Sequence, residues 1–156
     1  MSLAELRGRV VAIEAFQMLC PGCVSHGLPQ AQRIADTFGD DVTVLGLHTV
    51  FEHHDAMAPV SLEAFLHEYR IGFPVGIDAH DQPDGMPLTM ASYQLRGTPS
   101  LILIDRAGRV RDSPGNDRLP APGGGRCGGR AWMTLRKRRR RTSSSSGPGS
   151  CCAAGE

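Results

Sequence analysis

The stretch Val10-Val11-Ala12-Ile13-Glu14-Ala15-Phe16-Gln17-Met18-Leu19-Cys20-Pro21-Gly22-Cys23 decides how this chain is read. An apolar run of strand length stops just before a pair of thiols, and a helix-like pattern begins at them. Two cysteines at this spacing can close into a small reversible disulfide. A helix N-terminus beneath the first one supplies partial positive charge and favours its thiolate. Redox chemistry is therefore the leading reading, with Cys20 as the attacking thiolate and Cys23 as the thiol that resolves the mixed disulfide.

Composition bounds the answer. A length of 156 residues with 40% hydrophobic content allows one domain with a real core. Nothing approaches the roughly 18 consecutive apolar residues of a membrane span. Met1-Ser2-Leu3-Ala4-Glu5-Leu6 lacks the basic start and long apolar stretch of a signal peptide. The expectation is a cytoplasmic protein, and in a reducing compartment a close cysteine pair is catalytic or metal-binding rather than structural. The net charge of +1 hides a division. Residues 1–119 carry nine Arg against fifteen Asp and Glu, whereas 120–156 carry seven Arg, one Lys and one Glu. That tail also holds Gly123-Gly124-Gly125, the cationic run Arg136 to Arg141 and Ser143 to Ser146. It predicts a disordered, basic extension to a single domain over 1–119.

Within the body, strand-like and helix-like patterns alternate. Arg9 to Phe16 reads as a buried strand and Cys20 to Phe38 as a helix, with Pro29 kinking it or marking its start. Val42 to Val50 reads as a second strand, and Ser61 as the N-cap of a helix over Leu62 to Arg70. Phe73 to Asp78 is a short strand and Leu88 to Leu95 a short helix. Ser100 to Asp105 and Arg109 to Asp112 form a hairpin about Arg106-Ala107-Gly108. The class is α/β, with a mixed central sheet flanked by helices.

Strand, Cys-x-x-Cys and helix, followed some 75 residues later by Arg96-Gly97-Thr98-Pro99-Ser100-Leu101-Ile102-Leu103-Ile104-Asp105, resembles the thioredoxin superfamily. Within it the chain looks most like the TlpA-like and redoxin branch, which carries an extra helix and strand in mid-domain. The resemblance covers about Leu6 to Asp112. It implies a thioredoxin-like fold and a thiol-disulfide oxidoreductase. It implies a cis bond before Pro99, with Thr98 and Pro99 placing backbone for strand-like pairing with a substrate peptide and keeping metal off the thiols. It implies no cofactor; the partners are disulfide-bearing proteins or small thiols and an upstream thiol reductant or oxidant. Glu14, six residues before Cys20, matches the family's buried carboxylate. Alternation puts Glu14 on the face of Ala12 and Phe16, where burial would raise its pKa and fit it to take the proton of Cys23. The alternative is an edge-strand carboxylate facing solvent. Three features depart from the family: Leu19 stands where it has Trp, Pro29 lies nine rather than eight residues after the first cysteine, and the closing C-terminal helix is missing.

Three other functions compete with disulfide exchange. A thiol peroxidase would need Pro and Thr where the chain has Ile13 and Gln17. His48, His53 and His54 with the thiols suggest a metal module, but their spacing is not that of a ligand set. The cationic run suggests a nucleic-acid contact, although Trp132 is the tail's lone aromatic platform. Cys127, Cys151 and Cys152 read as incidental thiols.

Overall fold

A computed structural model describes residues 2–82 and 85–112. The expectations for the tail (its disorder, its missing helix, its cationic run and its three cysteines) and the boundary at 119 lie outside the described residues. A 3-10 turn over Leu3–Leu6 leads into β1, Val10–Phe16. A π-helical turn over Cys23–Gly27 then runs into α1, Leu28–Phe38, before β2, Val42–His48. Next come α2, Pro59–Glu68, and β3, Val75–Ile77. The short α3, Leu88–Ser92, precedes the hairpin of β4, Ser100–Ile104, and β5, Val110–Asp112.

The five strands lie in the order β3-β2-β1-β4-β5. Strand β1 is central, parallel to β2 and antiparallel to β4, with Glu14 opposite Gly46 on one side and Leu101 on the other. This removes the edge-strand alternative for Glu14. Both sheet faces are covered, so β1 reads as a nearly continuous apolar run rather than an alternating one. On one face Ala12, Phe16 and Val44 pack with Leu28 and Ala31 of α1 and Leu62 of α2. On the other, Val11, Ile13, Leu45, Leu47, Ile102 and Ile104 pack with Leu6, Met90 and Leu95. The helix α2 and strand β3 occupy the mid-domain position of the extra elements the resemblance implied.

Two local expectations are corrected. The second helix starts at Pro59, with Ala58 at the N-cap, so Ser61 lies inside the first turn and does not cap it. Proline at the first helical position has no amide to satisfy and its fixed φ nucleates the turn earlier. The helix after the thiols is not one uniform α-helix: a π turn precedes α1, and Pro29 sits in the first turn of α1. A π turn accommodates one extra residue in a helix. That matches the one extra residue between Cys20 and Pro29 relative to the family.

The hairpin behaves as expected. Gly108 has φ +77°, a conformation other residues rarely adopt. Asp105 accepts from the Arg109 amide at 2.9 Å and from Arg111 Nε at 2.7 Å. Asp78, buried beyond β3, accepts from the Thr89 and Met90 amides at 3.0 and 3.1 Å and so caps α3.

Phe16 closes the covered face of β1, fully buried against the rings of His48 and Phe65 at 5.4 and 6.4 Å. Phe16→Ala should cost about 3–5 kcal/mol of unfolding free energy in urea denaturation. A loss below about 1 kcal/mol would show that this ring is not part of the core.

Candidate functional site

The strand β1 delivers its chain end to the same edge from which β4 departs, because β4 runs antiparallel beside it. Residues 78 positions apart in sequence meet there: the Cys20 thiol lies 3.5 Å from the Thr98 carbonyl oxygen. The Thr98–Pro99 bond is cis. Cys20 is half-buried at the head of the helical segment, and the Cys23 amide donates to its Sγ at 3.3 Å. Cys23 is fully buried one turn further in.

The two thiols are driven apart in proton affinity. Burial alone would raise Cys20, but hydrogen bonds from the Cys23 thiol and amide, the Thr98 side chain and the Gly22 amide outweigh it and hold Cys20 below its ordinary value. Burial pushes Cys23 up to about 12, and its hydrogen bond to Cys20 adds to the rise. One thiol is thus prepared as a thiolate and the other kept as a thiol.

Behind the pair, Glu14 is fully buried on the apolar face of β1. Desolvation raises its carboxyl from 4.5 to about 7. Its Oε1 has no hydrogen-bond partner among the described residues. Sequence reasoning missed the residue in front of it. Gly27 has ordinary right-handed helical φ and ψ, −60° and −59°. A methyl group there would overlap Glu14 Oε1 and stand 2.7 Å from Pro99 Cβ. Gly22 is similarly placed, with the Pro99 ring 3.3 Å from where its side chain would begin. Glycine inside a helix is worth about 1 kcal/mol less than alanine, so a helical glycine with no turn to make is the signal that could have pointed here.

Next to Cys20 opens a groove of about 530 Å³. Leu19 and Phe51 give it an apolar rim, Glu52 and Arg96 give it charge, and His53 adds an imidazole ring. Leu19 is 55% exposed, so the position where the family has Trp here presents a smaller aliphatic side chain to any substrate. Of the three histidines, His53 lines the groove beside Cys20 and the other two lie elsewhere. His48 is fully buried against Phe16, and desolvation lowers it to about 4. His54 lies edge-on to His80 at 5.5 Å. Among the described residues no group of three or more His, Cys, Asp or Glu could hold a metal ion. Ile13 is a core residue, and the side chain of Gln17 is buried with Nε2 unpartnered among the described residues.

Comparison with known proteins places this geometry among solved structures. No family model and no curated protein matches the chain. One similar crystal structure is described as a thioredoxin-like superfamily protein, with 65% identity, 72% of this chain and 73% of that chain covered, and a TM-score of 0.69. Another is a thiol-disulfide isomerase from Corynebacterium glutamicum, with 52% identity, 72% and 74% covered, and a TM-score of 0.67. A secreted disulfide oxidoreductase of Mycobacterium tuberculosis shares the fold at 22% identity, with 71% and 72% covered and a TM-score of 0.55.

The buried carboxyl has a consequence for stability. Between pH 4.5 and about 7 folded Glu14 holds a proton that the unfolded chain releases, so its contribution falls as pH rises through that window. His48 acts oppositely, its contribution being in place above pH 6.5 and lost as pH falls toward 4. Comparing Glu14→Gln with the parent cancels the histidine. The variant should gain roughly 3 kcal/mol more at pH 8 than at pH 4 in urea denaturation. Equal differences at both pH values would mean that Glu14 ionises as freely folded as unfolded.

Proposed function

The chain belongs to the thioredoxin-like superfamily and is a thioredoxin-like oxidoreductase; on that premise we propose that it exchanges disulfides with protein or small-thiol substrates through Cys20 and Cys23. The observation that carries this reading is the placement of Cys20 Sγ, between the Cys23 amide at 3.3 Å and the Thr98 carbonyl at 3.5 Å. A lowered thiolate sits in a groove at the place where a substrate strand would pair with Thr98 backbone.

The Cys20 thiolate attacks one sulfur of the substrate disulfide. A Cys20–substrate bond forms, the substrate S–S bond breaks, and the other substrate sulfur leaves as a thiolate that takes a proton from water. Cys23 then gives its proton to the Glu14 carboxylate and attacks Cys20 Sγ. The Cys20–Cys23 bond forms, and the second substrate thiolate is released and protonated. Two electrons have passed from the dithiol to the substrate. A reducing dithiol partner resets the pair; run backwards with an oxidising partner, the same steps introduce a disulfide. A carboxyl with its pKa near 7 suits the proton transfer, since it is ionised often enough to accept and basic enough to pull.

Cys20→Ser should reduce insulin disulfides no faster than the uncatalysed background. Cys23→Ser should accumulate a covalent adduct with substrate, visible as an intact-mass increase that dithiothreitol reverses. Full turnover by the Cys20 variant would end the reading.

A further inference from the structure

One contact at the site is left unexplained by the exchange of disulfides through Cys20, Cys23 and Glu14. The helical turn that carries Cys23 ends at Gly27, one turn along on the same side, and both are buried. Gly27 is where β1 and the loop before β4 both reach that turn: the Glu14 carboxyl and the Pro99 ring both lie against the place where a side chain would begin. Pro99 also covers Gly22, so its ring spans the whole turn on which Cys23 sits. Gly27 is compatible with alanine in backbone conformation and is excluded only by these two neighbours. The Glu14 oxygen at this seat is buried and unpartnered among the described residues, so no hydrogen bond to them holds it there.

We propose that Gly27 is a positioning residue for the resolving half of the reaction: its bare Cα is the seat that lets the Glu14 carboxyl lie against the turn carrying Cys23 while Pro99 closes over it. This rests on the reading of Glu14 as acceptor of the Cys23 proton. A methyl group at position 27 pushes the start of the helix off β1, admits water to the carboxyl and separates it from the thiol it serves. The attack by Cys20 does not pass through this seat. The titratable groups sharing that side of the sheet with Glu14 are His48 on β2, beside Phe16, and Cys23 on the helix; opposite Glu14 itself stand Gly46 and Leu101.

The full chain carrying Cys127→Ser, Cys151→Ser and Cys152→Ser, so that Cys20 and Cys23 are its two thiols, is reduced and mixed with 5,5′-dithiobis(2-nitrobenzoate). The first equivalent of thionitrobenzoate reports attack by Cys20, and the second reports displacement by Cys23. Folded Gly27→Ala should keep the first phase within about twofold and slow the second by about tenfold or more at pH 7. The pH inflection of the second phase should fall from near 7 toward the ordinary carboxylate range. In a Glu14→Gln background the same substitution should leave the second phase unchanged. Slowing of both phases alike, or an unchanged second phase in folded Gly27→Ala while Glu14→Gln is slow, overturns the Gly27 assignment and leaves Glu14 standing. An unchanged second phase in Glu14→Gln overturns both. If Gly27→Ala is too unstable for kinetics, its loss of urea midpoint should be smaller in a Glu14→Ala background than in the parent, because one of the two overlaps is gone while that with Pro99 remains, and an equal loss in both backgrounds overturns the proposed seat.

Discussion

Everything at the site depends on one strand being paired in opposite senses on its two sides. β1 is parallel to β2 and antiparallel to β4, so the end of β1 and the beginning of β4 share one edge of the sheet. A chain leaving β1 must turn immediately into its helix there, and a chain entering β4 must arrive there. The dithiol and the Thr98–Pro99 corner are therefore brought together by sheet topology before any side-chain preference acts. Parallel pairing on the other side requires a crossover, and that crossover is the helix whose first turns carry the thiols.

This edge is unusually dry, and its ionisable groups are arranged around that fact. Glu14, Cys23 and His48 are all buried on or beside one face of the sheet, and each is driven toward its neutral form. Burial raises the acids and lowers the base, so the three reinforce a single uncharged interior between about pH 4 and about pH 7. Cys20 escapes because it sits at the surface of the same cluster, where donors can reach its sulfur. The contrast between the two thiols is thus a depth effect of three residues along one helix.

The fold was largely legible because its signals are local. Short apolar runs located all five strands within a few residues, and Gly108 marked the hairpin turn. Burial of Glu14 was implied by its alternation with Ala12 and Phe16, though only the pairing on both sides of β1 shows that no edge was available to it. What escaped was non-local or irregular. Ser61 has good capping chemistry, but Pro59 fixes the start of the helix two residues earlier. The extra residue before Pro29 could be counted but not placed, since nothing in residues 23–27 announces a π turn. Gly27 escaped because the neighbours that require it lie on β1 and before β4.

The widened turn also sets the angular phase of the helix beyond it. Leu28 and Ala31, with Ile34 and Ala35 beside them, form the stripe by which α1 meets the sheet. Each residue added to or removed from a helix turns its remaining length by about 100° about the axis. The π turn takes up the added residue, so the stripe keeps its phase; with one residue fewer between Cys23 and Leu28 it would stay on the sheet only if that turn closed to α geometry. The dithiol and the packing stripe are therefore geared together through the pitch of one turn, and an active-site loop with the shorter spacing would mesh here only by tightening it.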